Sequence, residues 1–102
     1  MIYKVRAKLI DQRAIQFLRN LTDGTIAQQK TDGEEIVASM DRASIADDGY
    51  VCWTETCFCP TPLQHEREVQ LDRYFVEIET APTDAHEIFE GTSLMEHLAT
   101  FA

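Results

Sequence analysis

The stretch IYKVRAKLI, Ile2 to Ile10, alternates along its whole length: Tyr3, Val5, Ala7 and Leu9 fall on one side, and Lys4, Arg6 and Lys8 on the other. A period of two is the signature of a strand with one face buried and the other wet. Residues 2–10 are therefore predicted to form a strand lying on a core. Asp11 follows in position to cap a helix whose Ala14, Phe17, Leu18 and Leu21 recur at helical spacing, and Asp23-Gly24 offers the left-handed turn that closes one. A strand and a helix in succession share the surface that each must bury.

Working outward, Thr25 to Lys30 has the makings of a short strand, and Asp32-Gly33 marks a turn. Because that turn breaks the chain just before it, Glu35 to Ile45 reads as strand more than helix. Asp47-Asp48-Gly49 is the next turn signal, and Tyr50 to Phe58 is dense in aromatic and β-branched residues, so Ile36 to Ile45 and Tyr50 to Phe58 are expected to pair as an antiparallel hairpin that ends at Pro60. Thr61-Pro62-Leu63-Gln64 resembles a helix start, although His65 to Leu71 also fits an extended segment. Tyr74, Val76 and Ile78 alternate with acids and Phe75 in a last strand closed by Pro82. Ser93-Leu94-Met95-Glu96 is a capping box, and Leu94, Leu98 and Phe101 line one face of a terminal helix.

Taken in order, these elements predict one α+β domain over residues 1–102. The expected architecture is a four-stranded antiparallel sheet with helices on one face, in a ferredoxin-like βαββαβ arrangement with an added C-terminal helix. A longer β-meander with only the N- and C-terminal helices is the alternative. The ferredoxin-like arrangement sets the first and last strands side by side, with Lys4, Arg6 and Lys8 across from Glu77 and Glu79. Each such cross-strand pair is worth roughly 0.2–1 kcal/mol.

Composition narrows the function classes. Hydrophobic residues make up 44% and charged residues 26% of the 102, which is a globular balance. No apolar run approaches the ~20 residues of a membrane span, and the N-terminus interleaves basic and apolar residues instead of leading into a signal peptide, so a cytoplasmic location is expected. Without a secretory signal, Asn20-Leu21-Thr22 is a chance glycosylation tripeptide. The formal charge of −9 disfavours nucleic acid and anionic membranes as partners. Residues 1–30 carry six bases against two acids, a net of +4, which leaves −13 for the remainder.

Three cysteines, Cys52, Cys57 and Cys59, precede His65. Three thiolates and an imidazole are a zinc donor set, but zinc sites take their cysteines from tight loops, whereas pleating of a strand turns Cys52 away from Cys57 and Cys59. Ordinary reduced thiols are expected ahead of a metal site. Cys57 and Cys59 share a strand face, but Glu55, Glu66 and Glu68 around them raise a thiol's pKa and blunt a nucleophile, and no orienting carboxylate or oxyanion element is placed for a Cys-His pair with His65. His86 and Glu90 stand one helical turn apart without a third ligand, so a solvated acidic surface is the better reading. Trp53 belongs either to the core or to an aromatic patch on the open sheet face, and strand register decides which.

The expectation is a non-catalytic interaction or small-ligand-binding module with no catalytic residues and no cofactor. It self-associates as a homo-oligomer, a homodimer in the simplest case, and takes a protein or a small molecule as partner. Trp53, Glu55, Lys4, Arg6 and Glu77 are the surface residues expected to serve it. The alternative is a small thiol-dependent enzyme or zinc-binding protein using Cys57, Cys59 and His65.

Overall fold

The computed structural model of the chain describes residues 1–29, 32–58 and 63–102, with the backbone alone at 65 and 69. Strand β1 (Ile2–Leu9) leads through a 3-10 turn (Asp11–Arg13) into helix α1 (Ala14–Thr22), whose Ala14, Phe17 and Leu21 are buried as their spacing predicts. Helix α2 (Gly33–Arg42), strand β2 (Ser44–Ile45) and strand β3 (Tyr50–Thr56) come next. A helical stretch then runs through α3 (Gln64–Glu66), a π turn (Arg67–Leu71) and α4 (Asp72–Tyr74). Strands β4 (Phe75–Thr83) and β5 (Thr92–Ser93) precede the terminal helix α5 (Leu94–Ala99).

The sheet is antiparallel, in the order β4-β1-β3-β2-β5. It has five strands, not four, because Thr92–Ser93 pairs with Ser44–Ile45 just before α5 begins. Tyr3, Val5 and Ala7 of β1 lie opposite Glu55, Trp53 and Val51 of β3, and this face packs under the helices. Phe17 stacks on Tyr74 with ring centroids 4.2 Å apart, and Trp53 lies 5.0 Å from Phe75. Ser93 caps α5 by accepting the Glu96 amide, and Leu94 and Leu98 complete the core.

Three sequence expectations need correction. Glu35 to Ile45 is not a strand: Ile36, Ser39 and Met40 are buried at helical spacing, Glu34 and Glu35 sit at the positive end of the helix dipole, and Arg42 sits at the negative end. The hairpin with Tyr50 to Phe58 therefore shrinks to Ser44–Ile45 against Val51 and Cys52. Thr25 to Lys30 was the second misreading. Over its described part it makes helical turns, with the Gln28 amide on the Gly24 carbonyl at 2.9 Å and Gln29 on Ile26 at 3.0 Å. The β-meander alternative fails on α2 and on the helical stretch that contains 65–71. Gly33 misled because it begins α2 instead of breaking the chain. A Cβ there would run into the backbone oxygens of Ile26 and Ala27. Thr61 and Pro62, the expected helix start, lie outside the described residues.

The first and last long strands are neighbours, and Arg6 pairs with Glu79 at 3.2 Å. A register shift between Arg6 and Lys8 moves Glu77 out of line, so that it accepts the Tyr50 hydroxyl at 3.0 Å instead. Pro82 does not end β4, which continues to Thr83, because an edge strand tolerates a residue without an amide hydrogen. Since β4 and β5 occupy opposite edges, residues 84–91 cross the sheet, and they do so over the face away from the helices. Among the described residues no helix is long and apolar enough to cross a membrane.

Alanine in place of glycine inside a helix ordinarily adds about 1 kcal/mol of stability. Gly33→Ala is expected to do the opposite and cost roughly 2 kcal/mol or more, because backbone has to move to admit the methyl group. Urea unfolding checks the sign, and a raised midpoint would contradict the packing described.

Candidate functional site

Pleating of β3 sends Val51, Trp53 and Glu55 toward the helices, and Cys57, one step beyond the strand, continues on the same side. Glu55 enters the interior because its neighbour at two residues is the tryptophan that anchors the core. Over this end of the strand lies the helical stretch 63–71, which contributes Glu66 from α3 and Gln70 from the π turn. Both Glu55 and Glu66 have 0% of their surface exposed.

The hydrogen bonds tie these groups into one polar cluster. The Trp53 indole Nε1 donates to Glu55 Oε1 at 2.8 Å. The Cys57 thiol donates to Glu66 Oε2 at 3.6 Å. Gln70 Nε2 donates to Gln29 Oε1. On the flank, Glu35 Oε2 accepts from the Thr56 amide at 3.0 Å and from Arg42 at 3.1 Å, while Arg42 also reaches the Thr54 carbonyl at 2.8 Å. Glu55 Oε2 is buried and, among the described residues, has no hydrogen-bond partner.

Burial pushes the Glu55 carboxyl up to about 8, with the negative fields of Glu66, Glu35 and Asp32 adding to it and the Trp53 N–H opposing. The shift favours the neutral, proton-bearing form of Glu55 near neutral pH. Two irregularities of the backbone adjoin the cluster: the π turn, a feature frequent at functional sites, and Leu63, held at φ 56° where a side chain is unfavourable.

Of the residues singled out in the sequence, Cys57 and Glu66 are brought together. Cys52 points to the opposite face, as strand alternation requires, and burial raises its thiol pKa. Cys59 and the His65 side chain lie outside the described residues. Among the described residues no three of His, Cys, Asp and Glu are placed to hold a metal ion. Trp53 and Glu55, expected at a surface, are interior, because the register places both under the helices. Lys4, Arg6 and Glu77 are on the outer face, where Arg6 lies 3.4 Å from the Tyr50 ring centroid and also meets Asp48, and Lys4 lies over Phe89. His86 and Glu90 are in irregular chain, and the imidazole bridges Thr54 and Thr56. Gln70 and Glu35 escaped the sequence reading. Glu55 was misplaced, although its spacing from Trp53 is the signal that finds it.

Since the folded protein holds the Glu55 proton more tightly than an unfolded chain with its ordinary value of 4.5, this group favours folding most at acid pH, and its contribution is lost as pH rises from 4.5 toward 8. Each unit of separation is worth about 1.4 kcal/mol, so the loss amounts to several kcal/mol. Glu55→Gln, which cannot ionise, is expected to be the more stable protein above pH 8, with its advantage gone near pH 5. Paired urea titrations at both pH values measure this, and parallel pH profiles for the two proteins would refute it.

Compared with known proteins, the chain matches no family model, no curated protein and no solved structure.

Proposed function

We propose that the protein is a small-ligand-binding module whose site is the cluster of Glu55, Glu66, Cys57 and Trp53, with Glu55 presenting a neutral carboxyl to the ligand. The observation that carries this reading is the fully buried Glu55 Oε2 left without a partner among the described residues. An unsatisfied buried polar group costs about 1–3 kcal/mol, and a leucine or methionine of similar size would avoid that cost. A buried acid that lacks a partner supports this reading because a ligand could supply the missing bond.

The field around it selects the ligand class. Glu66, Glu35 and Asp32 surround Glu55, so an anion is repelled, while the carboxyl proton looks for an acceptor. A neutral carbonyl or amide oxygen meets both conditions. Thiol chemistry has less support, because the Cys57 thiol already donates to Glu66 Oε2. Self-association through the open sheet face also has less support, since residues 84–91 occupy part of that face. For the fold, the order β4-β1-β3-β2 is the basis for reading a ferredoxin-like core to which β5 is added at an edge.

Trp53 is the only tryptophan, and its indole N–H touches Glu55, so it reports directly on the cluster. Titration with acetamide at pH 6.5 is expected to move the indole N–H resonance of the native protein and to leave that of Glu55→Leu in place, while acetate moves neither. An indole resonance that acetamide does not shift would end the proposal.

A further inference from the structure

Residues 84–91 form a strap across the outer face of the sheet, and its attachment is specific. His86 Nδ1 lies 2.8 Å from Thr54 Oγ1, and Nε2 lies 3.1 Å from Thr56 Oγ1. Thr54 also accepts the Glu87 amide at 3.3 Å and has 0% of its surface exposed. We infer that His86 is a proton-operated pin: neutral, it holds the strap on β3, and protonated, it lets the strap go.

The inference follows from the hydrogens. Thr54 Oγ1 already receives the Glu87 N–H, and its own hydrogen has no water to turn to. That hydrogen goes to the lone pair of His86 Nδ1, which places the imidazole proton on Nε2, facing Thr56. Thr56 is half-buried and can satisfy its hydroxyl in solvent. When the ring takes a proton from solvent, Nδ1 also becomes a donor. Thr54 Oγ1 must then turn its own hydrogen aside to accept from Nδ1, and that buried hydrogen loses its acceptor. The strap relieves this conflict by lifting.

The charges facing His86 do not remove that requirement. Glu87 and Glu90 belong to the strap and travel with it, so they stabilise the imidazolium in the released state as well. From β1, Lys4 lies over Phe89 of the strap. From α2, Arg42 binds the Thr54 carbonyl and Glu35 binds the Thr56 amide. On β3 the flanking titratable group is Cys52, and Glu79 of β4 is held by Arg6. None of these supplies an acceptor for the Thr54 hydroxyl.

Histidine is the side chain whose charge ordinarily changes between about pH 5 and pH 8. Amide hydrogen exchange across residues 85–91, corrected for the intrinsic pH dependence, is therefore expected to show the Glu87 amide losing roughly tenfold in protection between pH 7.5 and pH 5. His86→Asn keeps an acceptor for Thr54 and does not titrate, so its strap should stay protected at both pH values. Thr54→Val keeps the shape and removes the hydroxyl, so its strap should be unprotected at both, with the melting transition confirming that each variant folds. Constant protection in the native protein, the same pH response in His86→Asn, or a protected strap in Thr54→Val would each overturn the inference.

Discussion

Val5 lies across from Trp53 in the ladder between β1 and β3, and that pairing assigns every residue of both strands to a side. A slip of one position would turn Trp53 outward and bring Lys4 and Arg6 under the helices. Burial of one tryptophan is worth roughly 4–6 kcal/mol by area, and Val5, Ala7 and Val51 add to it. The same register forces Glu55 inside at a penalty of several kcal/mol. The apolar sum is the larger, so the strand accepts the buried acid as a consequence of placing its tryptophan. The residues between them, Cys52, Thr54 and Thr56, are committed to the other face by the same pleat.

What Glu55 becomes once inside is settled by competing terms of different size. The Trp53 N–H favours the charged form, and a hydrogen bond to a charged group is worth about 1.5–3 kcal/mol. Removal from water and the fields of Glu66, Glu35 and Asp32 work the other way and win. Arg42 of α2 directs its Nη2 to Glu35 and to the Thr54 carbonyl. The outcome is a carboxyl whose neutral form is favoured, fixed at one oxygen by the indole and, among the described residues, without a hydrogen-bond partner at the other. The indole bond fixes the orientation of that carboxyl within the core.

Alternation in β1, helical spacing in α1 and the Ser93 cap of α5, all local properties, were legible in the sequence. Asp11, expected to cap α1, instead lies inside the 3-10 turn before it, and α1 starts without a side-chain cap. The antiparallel α+β class and the neighbouring first and last strands were legible too. Residues 33–45 were not, because Val37, Ala38 and Ile45 blur the helical period and because Gly33 serves close packing against Ile26 and Ala27, a tertiary contact that no local pattern reveals. Strand β5, two residues long, carries no signal of its own. As for the site, the separation of Cys52 from Cys57 followed from pleating. The inward turn of Glu55 could have followed from the same rule had Trp53 been assigned to the core. The contributions of Gln70 and Glu35 depend on how α2 and the π turn sit over β3, and nothing in the spacing encodes that.

The sheet's free surfaces bear on where function can reside. A sheet recruits another chain through an edge or through an uncovered face. Edge strand β4 is interrupted by Glu77 in a left-handed conformation, carries a second acid at Glu79, and lacks an amide hydrogen at Pro82. The opposite edge is β5, only two residues long. The outer face is crossed by residues 84–91, a path the strand order imposes because β4 and β5 lie at opposite edges and the helices fill the other side. What remains of that face is a network in which Arg6 is shared among Asp48, Glu79 and Tyr50. Each route of lateral recruitment is thus narrowed. Among the described residues the buried Glu55 Oε2 has no hydrogen-bond partner, and it lies at the inner end of β3, where the ligand is proposed to bind.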